Sequence, residues 1–167
     1  MTIFGAVLEQ WDQVLLWGGL ATIVMTTVLE GAQLVGLSRL SLPFLFGTFV
    51  TGSRRRAEVY GYILYTAGAW AFAIVYALIM ESLWPSWWLG LLVGTVHGLF
   101  LIVVFLELLN QVHPRIATRY DGPSARRRLE PPGPVGLNYG RATPVSTVLA
   151  QALYGLIFGI GYAYGAG

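Results

Sequence analysis

Four long apolar stretches dominate this chain, and charged residues sit almost entirely between them. Runs without Asp, Glu, Lys or Arg cover residues 13–29, 59–80, 82–106 and 142–167. About 20 apolar residues, each rising about 1.5 Å, cross the hydrocarbon core of a bilayer, so each run predicts a membrane-spanning helix. Apolar character resumes after Glu30, Gly31, Ala32 and Gln33 and continues to Leu37, which extends span 1 over residues 13–37. Spans 2, 3 and 4 are expected at 58–80, 85–111 and 144–164. Pro85 and Pro144 suit a first helical turn, where the missing N–H costs nothing, and Thr143 is a natural N-cap. The expected fold is an all-α integral membrane protein, one membrane domain over residues 1–167 forming a four-transmembrane-helix bundle.

The connections, 38–57 and 112–143, differ in kind. Residues 41–52 are too apolar for a free loop and too short to span, which predicts an interfacial or re-entrant segment after span 1. Residues 113–143 include Pro131, Pro132, Gly133 and Pro134 and show little helical periodicity. Such a length is expected either as a flexible linker or as a partner-binding surface. Near the N-terminus, Ile3, Phe4, Val7, Leu8 and Trp11 fall at helical spacing opposite Glu9 and Asp12, the pattern of an amphipathic surface helix.

Spans 2 and 4 share a pattern: Phe72-Ala-Ile-Val-Tyr76-Ala77 against Phe158-Gly-Ile-Gly-Tyr162-Ala163. Spans 1 and 3 match more weakly, through Leu29-Glu30 with Gln33 and Leu106-Glu107 with Asn110. Two parallel helical-hairpin repeats would produce this, and so would chance similarity between apolar helices.

Composition supports the spans: 56% of residues are hydrophobic and only 11% charged, more apolar surface than a soluble domain of 167 residues can hide. All ten basic residues are arginine. Arg39, Arg54, Arg55 and Arg56 lie between spans 1 and 2, and Arg115, Arg119, Arg126, Arg127, Arg128 and Arg141 between spans 3 and 4. The positive-inside bias makes both connections cytoplasmic and places both termini on the other side. Trp11, Trp17, Trp84, Trp87, Trp88, Tyr162 and Tyr164 are then expected in the outer aromatic belt. Arginine without lysine fits a GC-rich bacterial genome, so the expected location is the bacterial inner membrane. Headgroups account for the arginines, and no nucleic-acid partner is expected. The chain has no cysteine, which excludes disulfides and thiol chemistry.

Candidate chemistry is sparse. Gly90, Gly94 and Gly98 in span 3 and Gly155 and Gly159 in span 4 form small-residue faces suited to close helix packing. His97 lies near mid-span between Gly94 and Gly98, where it could hold a tetrapyrrole ring, relay protons, or hydrogen-bond Thr22 or Thr26. Glu30, Gln33, Tyr65, Glu107, Asn110 and Gln151 are expected at one depth, either as an ion- or proton-binding layer or with the glutamates reaching the headgroup region to pair with Arg39, Arg54–Arg56 or Arg115. No motif of a nucleophile, phosphate loop or metal site is present, and catalysis is not expected.

These features predict a non-catalytic integral membrane subunit or accessory protein of a larger bacterial inner-membrane complex, an energy-transducing one for instance. It would act through glycine-lined helix packing and lipid or pigment contacts, with lipids and other membrane subunits, or itself, as partners. Two alternatives stay open. One is a small homo-oligomeric ion, proton or solute transporter using the Glu30, Glu107 and Gln151 layer. The other is a tetrapyrrole or quinone binder centred on His97. The sequence requires no cofactor; a tetrapyrrole or a lipid is the candidate.

Overall fold

Uninterrupted apolar sequence satisfies its backbone polar groups most simply within helices, and helix is what these residues form. A computed structural model describes residues 2–117 and 128–165. The expected basic positions Arg119, Arg126 and Arg127 lie outside the described residues. Helices α1 (Ile3–Glu9), α2 (Trp11–Leu34), α3 (Leu42–Val50), α4 (Arg54–Ser82), α5 (Trp87–Val112) and α6 (Thr143–Tyr164) follow in order. No strand occurs among the described residues. Four helices, α2, α4, α5 and α6, are long and apolar enough to cross a membrane.

Local chemistry sets the boundaries. Helix α2 stops at Leu34, three residues before the expected end, because Gly36 takes a left-handed backbone with φ +76°. Its N–H donates to the Gln33 carbonyl, and that of Leu37 donates to the Ala32 carbonyl at 2.9 Å, the paired bonds that close a helix at a C-terminal glycine. Helix α5 begins at Trp87, so Pro85 lies before the helix and not in its first turn. Within α5, residues Leu101–Phe105 widen into a π-helical turn, with the Leu106 N–H donating to the Leu101 carbonyl. Such a turn shifts the face that the rest of the helix presents.

The residues form two compact units, to each of which the four long helices contribute a stretch. Unit 1 comprises residues 1–28, 66–98 and 148–167. Its interior is filled by large side chains, Met80, Tyr76, Tyr154 and Phe158 all being under 2% exposed. Val7 of α1 is buried here at 1% exposure, whereas Ile3, Phe4, Leu8 and Trp11 stay outside. Tyr162, expected in the aromatic belt, is instead 2% exposed: Tyr154, Phe158 and Tyr162 recur every four residues and so share one inward helical face. Phe72 is exposed while its repeat counterpart Phe158 is fully buried, so the two matching segments occupy unlike surroundings.

Unit 2 comprises residues 29–65 and 99–147. The apolar segment after α2 folds here as α3, capped by the Ser41 hydroxyl accepting from the Phe44 N–H. It lies against the start of α4 at backbone distance; a Cβ on Gly47 would overlap the Ala57 carbonyl, and one on Gly61 that of Pro43. The described part of the long connection is folded onto this unit. Ile116 and Leu129 pair as an isolated β-bridge, Ile116 is fully buried, and the Tyr139 hydroxyl donates to the Glu130 carbonyl at 2.7 Å. Arg39 ties the connection down: its N–H donates to the Tyr139 carbonyl and its guanidinium to the Asn138 carbonyl and Glu130.

Candidate functional site

In unit 1 the glycines of α5 and α6 set the closest approach. A Cβ on Gly90 would overlap the Gly155 carbonyl, one on Gly155 the Gly90 carbonyl, and one on Gly94 the Gln151 carbonyl, while on Gly98 it would meet the Val148 Cα at 2.8 Å. Gly159 lies against Ser86 and Gly90. Backbone on one helix therefore meets backbone on the other. The faces of Gly94 and Gly98 expected to leave room for a ring beside His97 are occupied by α6.

His97 itself turns toward α4. Its Nδ1 lies 3.1 Å from the Tyr76 hydroxyl, and its ring sits 4.1 Å from that of Phe72. Thr22 and Thr26, the partners expected from depth, direct their hydroxyls to the Gly18 and Thr22 carbonyls of their own helix. Tyr76 joins an aromatic column, its ring centroid 5.3 Å from Tyr154 and 5.9 Å from Phe158. At the other end of the column, Tyr162 donates to Glu81 at 2.9 Å, and Gln10 donates to the same carboxylate oxygen at 3.1 Å. The sequence pattern of aromatics on α6 was visible, but their partners on α4 depend on packing alone.

In unit 2 a cleft of about 650 Å³ opens between the end of α2 and the start of α4. Helix α2 supplies Glu30, Gln33 and Leu34, the following segment Arg39 and Ser41, α3 Phe44, and the first turns of α4 Arg54, Glu58 and Tyr62. Two of the expected polar-layer residues, Glu30 and Gln33, are therefore here. The Glu30 carboxylate accepts directly from the Tyr62 hydroxyl. Among the described residues Glu30 pairs with no arginine: Arg39 pairs with Glu130 at 3.1 Å and Arg54 with Glu58 at 3.2 Å. Neither Glu107, which is exposed, nor Asn110, Tyr65 or Gln151 lines the cleft, and Gln151 belongs to unit 1. Of the six, the cleft brings together Glu30 and Gln33, because depth along a helix says nothing about the direction a side chain takes around it. Asn110 Oδ1, Thr147 Oγ1 and Gln151 Oε1 are buried oxygens without a hydrogen-bond partner among the described residues.

A second polar cluster, which the sequence reading passed over, surrounds His113 beyond the end of α5. Its Nδ1 accepts from the Arg115 backbone N–H at 3.1 Å, which leaves the proton on Nε2, facing the Leu45 carbonyl and Thr48 hydroxyl, each at 3.2 Å. Burial holds the imidazole below its ordinary pKa of 6.5, assisted by the Arg115 charge and opposed by the bond to Leu45. Arg115 donates to the Thr48 and Phe49 carbonyls, capping α3 where its last carbonyls would otherwise be unpaired. Nearby in the same unit, burial and the Glu130 charge push the Tyr139 hydroxyl up to about 12, against the lowering effect of Arg39. Among the described residues no three His, Asp or Glu side chains converge as a metal site would require.

Among the described residues the protein is all-helical, with four helices of membrane-crossing length and apolarity. No family model, curated protein or solved structure matches the chain.

Proposed function

We propose that this protein is a multi-pass bacterial inner-membrane protein that works without catalysis, as an integral subunit or accessory protein of a larger membrane assembly. The observation that carries this reading is the filled interior of unit 1. Tyr76, Tyr154, Phe158 and Met80 close the space among helices that a solute would need, and the α5–α6 glycines bring backbones together where a conduit would hold them apart. The apolar side chains face outward instead. Only a third of the most apolar stretch of α2 and of α4 is buried, with Ile23 and Ile63 at least 60% exposed. Such faces suit lipid tails or neighbouring transmembrane helices.

Affinity purification in mild detergent, followed by mass spectrometry, tests the reading. Stoichiometric membrane subunits other than this chain are the expected result. A pure homo-oligomer that drives proton or cation flux in proteoliposomes, with flux lost in Glu30→Gln, would replace it by a transporter reading, to which the direct Glu30–Tyr62 contact in an open cleft gives specific support.

A further inference from the structure

The cleft of unit 2 has a charge pattern that restricts what can occupy it. Two carboxylates, Glu30 and Glu58, and two guanidinium groups, Arg39 and Arg54, line it, with Glu130 of the connection paired to Arg39. A bare cation entering would face two guanidinium groups, and a bare anion two carboxylates. A molecule bearing both signs, a few ångströms apart, meets groups of opposite sign at both ends. Its volume of about 650 Å³ falls within the range of roughly 300–1,000 Å³ usual for small-molecule sites.

We infer that this cleft binds the headgroup of a zwitterionic phospholipid carrying a primary ammonium, of the phosphoethanolamine type. This rests on the proposal that the long helices span a bilayer, in which case Arg39, just beyond the end of α2, and the arginine-bearing start of α4 stand at headgroup level. The phosphodiester would take the Arg54 guanidinium and the N–H groups of Arg39 other than Nη2, which Glu130 and the Asn138 carbonyl hold; guanidinium groups offer planar, paired donors to phosphate oxygens. The ammonium would donate to Glu30 and Glu58. A primary ammonium is favoured over a quaternary one because it has N–H groups for the two carboxylates to accept; two aromatic side chains, Phe44 and Tyr62, line the cleft, and Tyr62 is engaged by Glu30, whereas quaternary heads are held by cages of aromatic faces. The Arg54–Glu58 pair does not stand in the way. Its side chains are 87% and 50% exposed and lie four residues apart on one helix, a weak surface pair that a ligand can exchange. A lipid is favoured over a soluble zwitterion by the rim: Leu34, at 88% exposure, lines the cleft, and Val35 and Leu37 continue the apolar surface beyond it. Acyl chains could lie along that surface while the head stays in the cleft.

Native mass spectrometry of the intact protein, titrated with phosphatidylethanolamine, phosphatidylcholine and phosphatidylglycerol of matched acyl chains, tests this. Preferential retention of the ethanolamine lipid is expected. Loss of one charge-assisted hydrogen bond in Glu30→Gln should lower that retention about tenfold and leave phosphatidylglycerol unchanged. Arg54→Gln should weaken all three lipids. Equal retention of the three by the wild type would overturn the inference even if the Glu30 variant did not fold, and so would unchanged selectivity in a folded Glu30→Gln protein. Glycerophosphoethanolamine, the water-soluble head, should compete poorly; if it bound as tightly as the lipid, the lipid assignment would fall. Carbonate extraction of membranes expressing the chain separates the two levels: release as a soluble protein would refute the membrane reading, whereas retention without lipid selectivity would refute only this inference.

Discussion

Replacing Gly155 by alanine adds a single carbon at the point where α5 and α6 touch. That carbon would overlap the Gly90 carbonyl and lie 2.9 Å from the Gly94 Cα, both backbone atoms on a neighbouring helix that no rotamer change can move aside. The helices must separate by on the order of 1 Å to restore ordinary contact distances of about 3.5–4.0 Å. A gap of that size forfeits a quarter to a half of each atom-pair attraction of about 0.1–0.2 kcal/mol; over roughly 40 pairs, the loss is about 1–4 kcal/mol. Overpacked cores generally lose about 1–3 kcal/mol, a consistent range. Gly68 of α4 is the control, since nothing lies within 4 Å of a Cβ placed there. Gly68→Ala should stabilise by about 0.5–1 kcal/mol, because alanine has less freedom to lose in a helix. Reversible unfolding of both variants in mixed detergent and dodecyl sulfate micelles, followed by circular dichroism, measures the difference. Effects of the same sign and size at the two positions would refute the backbone-contact argument.

Three further outcomes follow from particular contacts. Tyr76→Phe removes the hydroxyl 3.1 Å from His97 Nδ1 and should cost about 1–2 kcal/mol, and a double-mutant cycle with His97→Phe in the same unfolding assay should return a coupling of at least about 0.5 kcal/mol; additivity would show that the contact contributes nothing. His113 has a folded pKa below its ordinary 6.5, so the unfolded chain binds the proton first: stability is full above about pH 6.5 and falls as pH drops through the folded value, a slope that His113→Gln should reduce when unfolding is compared at pH 7.5 and pH 5. Val135 is a β-branched residue held at φ 46°, so Val135→Asn should stabilise by about 1 kcal/mol, measured by thermal unfolding, and a destabilised variant would contradict strain at that position.

Much of the helical framework was legible because a long apolar run has few other ways to satisfy its backbone. The four long helices coincide with the uncharged runs, while their ends depended on single residues: Gly36 closes α2 early, and Arg54 opens α4 four residues before the apolar pattern begins. The π-helical turn at Leu101–Phe105 left no signal in the pattern of polar and apolar residues. Nor did the folding of residues 128–141 onto the Arg39 segment, since a proline-rich polar stretch looks the same whether it is free or held by Arg39 and Tyr139. The cleft was half legible. Glu30 and Gln33 stood out as polar residues in an apolar run, whereas Tyr62, Glu58 and Ser41, which lie farther along the sequence, share the cleft with them only through packing. Likewise His97 was conspicuous by type, but its partner Tyr76 was hidden among the many aromatics of α4.

The claim beneath every functional statement is that α2, α4, α5 and α6 cross a bilayer with the arginine-rich connections on the cytoplasmic side. Because the chain has no cysteine of its own, single cysteines report directly. Variants Ser53→Cys, Arg141→Cys, Thr2→Cys and Ser82→Cys, expressed in bacterial spheroplasts and treated with a membrane-impermeant maleimide, measure sidedness. The account predicts labelling of residues 2 and 82 in intact spheroplasts and of residues 53 and 141 only after permeabilisation. Labelling of all four positions on the same side of the membrane would contradict it.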